Sequence, residues 1–129
     1  MIFIVDDDSA VRDSLRLLLE CVGLEARDFP SPETFLDGWK SADQDCLVLD
    51  LHMPGMSGLD LLEELRQRGD AVPVIVVTGQ PSAASTARAQ AAGALAVLAK
   101  PFKPIEMLGL VRQALNERPG PIPPHPALL

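Results

Sequence analysis

The sequence predicts an α/β fold: a doubly wound parallel sheet of five strands with helices on both faces. Three observations predict it. Short apolar runs alternate along the chain with helical patterns, five of each. The first, third and fourth runs are unbroken blocks rich in Ile, Val and Leu, as in strands covered on both faces. The alternation is strict, and short right-handed crossovers then build a parallel sheet with helices on both faces.

The elements follow in order. After the run Ile2 to Val5, residues Val11, Leu15, Leu18, Leu19 and Val22 recur at helical spacing and form one apolar stripe. The second run, Leu24 to Phe29, alternates and carries Glu25, Arg27 and Asp28, which suits a sheet edge. Ser31-Pro32-Glu33 then reads as an N-cap, a proline at the first helical position and an acid in the first turn. The third run, Cys46 to Leu49, leads past Gly58 to a helix with Leu61, Leu62 and Leu65. The fourth, Val74 to Val77, precedes an alanine-rich helix from Ser82 to Ala92 with little apolar bulk. The fifth, Leu95 to Leu98, leads through Pro104 to a stripe of Ile105, Leu108, Val111 and Leu115. Gly23, Gly69 and Gly93 follow helices one, three and four, where a left-handed cap is often needed.

A length of 129 residues suits one domain with a core that needs no disulfide or structural metal. With 47% hydrophobic and 22% charged residues, wholesale disorder is excluded. A net charge of -7 argues against binding DNA or an anionic membrane by bulk charge. Cys21 and Cys46 are too few for a four-cysteine zinc site, and their apolar neighbours predict reduced core residues. Met1 is followed by four apolar residues and three aspartates, unlike a secretory signal. No segment approaches the roughly 18 apolar residues of a membrane span, so a cytoplasmic location is expected. Residues 1–117 are expected to fold as the domain. Residues 118–129, with five prolines in the last eleven positions, are expected to form an extended tail or a linker.

Ligands in such sheets bind at the carboxyl ends of the strands. Strand one leads into Asp6, Asp7 and Asp8, and strand three into Asp50. Strand four leads into Thr78, and strand five into Lys100-Pro101. Carboxylates gathered on one rim repel, and their pKa values rise unless a cation joins them. A hard divalent ion suits such oxygen donors, and Mg²⁺ is the abundant one. A lysine and a hydroxyl beside the ion suit a phosphoryl group. No Ser/His/Asp or Cys/His set competes, and no glycine-rich phosphate loop supports a nucleotide. Taken singly, each residue has a plainer reading. Asp8 could be a helix N-cap, Asp50 and Thr78 turn residues, and Lys100 a solvent-facing cation.

The motifs Val5-Asp6-Asp7-Asp8, Leu49-Asp50-Leu51-His52-Met53-Pro54-Gly55-Met56-Ser57-Gly58, Val76-Val77-Thr78-Gly79, Ala92-Gly93-Ala94 and Lys100-Pro101-Phe102 make a specific set. Together they resemble the receiver domain of two-component response regulators, most closely the FixJ-type group, from Ile2 to about Glu117. The resemblance implies the CheY-like, flavodoxin-like strand order 2-1-3-4-5. It implies a phosphorelay in which Asp50 takes a phosphoryl group from a sensor histidine kinase or phosphotransfer protein. Asp7 and Asp50 would hold Mg²⁺ directly, Asp6 mainly through water, and His52 through its backbone carbonyl. Thr78 and Lys100 would contact the phosphoryl oxygens, and the peptide before Pro101 would be cis. The domain would be a self-modifying switch rather than a turnover enzyme. Its output face would be helix four, strand five and helix five, carrying Arg88, Lys103, Glu106 and Arg112. The small residues of helix four suit close approach of a second copy, a homodimer through that face on phosphorylation, and equally suit a small-residue helix packed on a thin sheet. No direct contact of this chain to nucleic acid or membrane is expected.

The sequence also departs from the family. Members usually carry an aromatic switch residue three positions before the lysine, where this chain has Val97. Valine has one stiff χ1 and no ring to rotate, so the expected coupling to Thr78 is weakened or carried elsewhere. Gln80-Pro81 restricts the loop into helix four. The His52 side chain is expected to point away from the ion, and with Gln80 it flanks the site where the family tunes phosphoryl lifetime. Three other readings compete. A flavodoxin-like electron carrier lacks its hydroxyl-rich phosphate loop here, and the chain has no Tyr. An aspartyl-phosphate phosphatase lacks its usual second carboxylate, because His52 stands two residues after Asp50. A receiver-like interaction module that is never phosphorylated stays open because of Val97.

Overall fold

A computed structural model describes residues 1–39, 45–53 and 55–116. Pro54, Glu117 and the tail expected from Arg118 lie outside the described residues. The elements alternate as β1 (Ile2–Val5), α1 (Ser9–Cys21), β2 (Ala26–Phe29), α2 (Pro32–Gly38), β3 (Cys46–Asp50), α3 (Gly58–Gln67), β4 (Val74–Thr78), α4 (Ala83–Ala91), β5 (Ala96–Ala99) and α5 (Pro104–Asn116). All strand pairs are parallel, in the order β2-β1-β3-β4-β5.

Because successive strand side chains point to opposite faces, the strands divide between two cores. Phe3, Val5, Leu47, Leu49, Val74 and Val76 pack with Phe35 of α2, the leucines of α3 and Ala89 of α4. Ile2, Ile4, Cys46, Val48, Ile75 and Val77 pack with Leu15 and Leu19 of α1 and with Met107, Val111 and Ala114 of α5. Two-sided burial is what the unbroken apolar runs of β1, β3 and β4 require. β2, with its charged residues, lies on one edge.

Some expectations shift. β2 starts at Ala26 rather than Leu24, and β3 and β4 run on into the polar residues Asp50 and Thr78. The ladder continues there through main-chain bonds, Leu51 N to Val77 O at 3.0 Å and Lys100 N to Thr78 O at 2.8 Å, which apolarity does not report. Cys46 is buried, but Cys21 is exposed and is not a core residue. The core-facing pair on α1 is Leu15 and Leu19, and Cys21 lies about 200° around the helix from Leu19. Ile105, expected on the apolar stripe of α5, is 77% exposed, because Met107, Val111 and Ala114 occupy the core-facing line.

Candidate functional site

β1 and β3 are neighbours, with Val5 opposite Leu49. One step further along, Asp6 and Asp50 therefore meet at the carboxyl ends of adjacent strands. Carboxylate oxygens of Asp6, Asp7 and Asp50 all lie within 4.8 Å of one another. Asp6 and Asp50 are buried, while Asp7 is exposed. Lys100, just past β5, places Nζ 3.1 Å from Asp6 Oδ2 and 3.6 Å from Asp50 Oδ1.

The loop after β1 is organised by its own acids. The Asp6 amide donates to Phe29 O at 3.2 Å, and Asp6 Oδ1 accepts from the Asp8 amide at 2.9 Å. Asp8 takes the plainer role: it caps α1, with Oδ1 accepting from Ala10 N at 2.9 Å and Val11 N at 3.4 Å. It is not part of the acidic cluster.

Burial pushes the Asp50 carboxyl above its ordinary value, and the charge of Asp6 adds to this. Lys100 and the His52 amide, which donates to Asp50 Oδ1 at 3.4 Å, offset only part of the shift. For Lys100, burial acts to lower the ammonium. The hydrogen bond to Asp6 and the charges of Asp50 and Asp6 outweigh burial, and the net shift is upward. One ammonium among three carboxylates leaves a surplus of negative charge on hard oxygen donors. That donor set, with no sulfur and no imidazole in the cluster, fits a small divalent ion such as Mg²⁺.

The remaining expected residues surround this cluster. The His52 side chain is exposed, and only its amide is directed at Asp50. Thr78 is fully buried at the end of β4, its Oγ1 accepting from the Gln80 amide at 3.1 Å. The Lys100–Pro101 peptide is cis. Val97 pairs with Val76 in the middle of β5 and packs against the α3–α4 core. Arg88 of α4 pairs with Glu63 of α3 at 2.8 Å rather than standing alone on the output face.

The role of Gly58 and the residue Arg12 were not legible in the sequence. A Cβ on Gly58 would collide with the backbone carbonyl of Asp50, so α3 seats directly against the end of β3 only with glycine there. Arg12 reaches the loop that carries the acids. The one sequence cue for it was a cation near the start of α1, where the helix dipole disfavours positive charge.

The response regulator receiver domain family matches residues 2–112, and the chain belongs to that family. It is similar to the transcriptional regulatory protein FixJ of Azorhizobium caulinodans, 42% identical over 115 residues, covering 89% of this chain and 54% of FixJ. It is similar also to the response regulator protein TodT of Pseudomonas putida, 38% identical over 119 residues, covering 92% of this chain and 52% of TodT. Among solved structures, FixJ-N matches with a TM-score of 0.83 and 34% identity over 90% of this chain and 93% of that one. The chain spans about half the length of the curated relatives it matches. Among the described residues, no helix is long and apolar enough to cross a membrane.

Proposed function

We propose that Asp50 accepts a phosphoryl group from a phosphohistidine of a sensor kinase or phosphotransfer protein in a Mg²⁺-dependent reaction. The observation that carries this reading is the buried Asp50 carboxylate at the end of a central strand, clustered with Asp6 and Asp7 and 3.6 Å from the Lys100 ammonium. Asp7 and Asp50 would hold Mg²⁺ directly, Asp6 through water and His52 through its carbonyl. Mg²⁺ when bound supplies counter-charge for the phosphoryl oxygens and the acids.

An Asp50 oxygen attacks phosphorus, the phosphorus–nitrogen bond breaks, and the donor imidazole keeps the electron pair and takes up a proton. Lys100 then shifts from the acids toward a phosphoryl oxygen. The Thr78 hydroxyl hydrogen is not used in the bond from Gln80, so it can donate to another phosphoryl oxygen. Because Thr78 O accepts from Lys100 N, movement at either strand end is felt at the other. The response is read on α4, β5 and α5, where phosphorylation would bring two copies together. The unit is a cytoplasmic switch rather than a turnover enzyme. It comprises residues 1–117, with 118–129 as a tail or linker and no nucleic-acid contact of its own.

Val97 favours a second reading, an interaction module that is never phosphorylated. Intact-mass measurement decides between them. With acetyl phosphate and Mg²⁺ the protein gains about 80 Da, the mass of one phosphoryl group, and the gain disappears on chelation or in Asp50→Asn. If a control receiver gains that mass and this protein does not, the second reading replaces the first.

A further inference from the structure

We infer that Arg12 is a positioning residue for the acidic cluster: it holds the Asp6–Asp7 peptide and so sets the affinity for the divalent ion. The inference rests on reading Asp6, Asp7 and Asp50 as ion ligands. Arg12 Nη1 donates to the Asp6 carbonyl oxygen at 2.7 Å, and Nε donates to Asp28 Oδ2 at 2.9 Å. That carbonyl belongs to the peptide joining Asp6 to Asp7, and thus to the unit that spaces two of the three clustered carboxylates. The Asp6 amide is already tied to Phe29 O. With Arg12 on the carbonyl, the backbone of Asp6 is held on both sides.

The guanidinium is itself aimed. Its side chain is 15% exposed, and Asp28 on the edge strand β2 holds it from the far side. Asp28 is held in turn by Arg16 Nη1 at 2.6 Å. A brace therefore runs from β2 through α1 to the loop that carries the acids. Asp28 also balances the charge of Arg12, so a cation brought into the cluster does not face a bare guanidinium. Helix stability does not explain a cation in this place. Arg12 lies near the N-terminal end of α1, where the helix dipole disfavours a cation, and its guanidinium bonds go to the Asp6 carbonyl and Asp28.

Positioning and simple charge make opposite predictions. Removing a nearby positive charge would by itself tighten binding of a cation, whereas removing a brace loosens it. The test is Mg²⁺ titrated by calorimetry into the full chain and its variants, each checked for folding by circular dichroism. Arg12→Ala is expected to weaken Mg²⁺ binding about tenfold, the low end of what loss of a group orienting a metal ligand costs. Arg12→Lys keeps the charge but not the fork, so its affinity falls between wild type and Arg12→Ala, and it serves if the alanine variant does not fold. Arg68→Ala removes the same charge at the C-cap of α3, outside the brace, and leaves Mg²⁺ affinity unchanged. The inference is overturned if Arg12→Ala binds Mg²⁺ as tightly as wild type or more tightly. It is overturned equally if Arg68→Ala weakens binding to the same extent. Wild type that takes up no Mg²⁺ would remove the ion reading itself, a result distinct from both.

Discussion

Asp28 shows how much a single carboxylate can be asked to hold. Burial pushes its carboxyl up, but hydrogen bonds from Arg16 and Arg12 outweigh burial and keep the group below its ordinary value of 3.8. A carboxyl depressed in the folded state binds its proton less readily there than in the unfolded chain. Its contribution to stability is therefore present above pH 3.8 and fades as the pH falls through the lower folded value. Asp28→Asn should melt below wild type at pH 7, with the gap narrowing under pH 3.8 and closing once Asp28 is protonated in both states. Thermal melts across that range check this, and a gap independent of pH would contradict it. Asp28 was legible in the sequence only as a charge on an edge strand. Its partners lie 12 and 16 residues away on α1, a separation that carries no local pattern.

At the scale of elements, α4 is the least anchored by apolar packing, with Ala89 its only fully buried residue. Its polar ties are correspondingly specific. Arg66 of α3 is half-buried, and burial lowers its guanidinium, an effect the charge of Asp70 opposes. It donates to the carbonyls of Ala92 at 2.9 Å, Gly93 at 3.1 Å and Asp70 at 2.8 Å. Gly93 sits at a φ of +83°, and a Cβ there would approach Arg66 Nε to 3.3 Å, so glycine serves both the turn and the latch. Arg66→Ala is expected to cost about 2 kcal/mol, or roughly 8 °C in Tm, measured by denaturant and thermal unfolding. A loss no larger than that of an exposed arginine would contradict the latch. The alanine-rich pattern announced a lightly packed helix, and the structure agrees. Helical spacing could not announce Arg66, because its acceptors are main-chain carbonyls. The same limit explains Ile105: spacing locates a stripe, and packing decides which residues at its margin stay in water. Cys21, by contrast, was misplaced by its apolar sequence neighbours, which do not report which side of α1 it occupies.

For the whole molecule, the parallel sheet and the meeting of Asp6, Asp7, Asp50 and Lys100 were legible because they share one cause, whereas the strand order was legible only through the resemblance. Parallel strands linked by short crossovers bring all their carboxyl ends to one rim, so residues after each run must converge. What was not legible is how the rim is held: the Asp50 carbonyl against Gly58, and the Asp6 carbonyl on Arg12. The formal charge of -7 is likewise not spread evenly. Part of it is the acidic rim itself, where Lys100 alone offsets Asp6, Asp7 and Asp50 among the described contacts. The central claim is that one of these carboxylates, Asp50, is the nucleophile. Borohydride reduction of the acetyl-phosphate-treated protein, followed by peptide mass spectrometry, tests it directly, since an acyl phosphate is reduced to the alcohol and an ordinary carboxylate is not. The account predicts homoserine at position 50 and unaltered aspartate at Asp6, Asp7 and Asp8. Homoserine at any of those three, with Asp50 untouched, would contradict it.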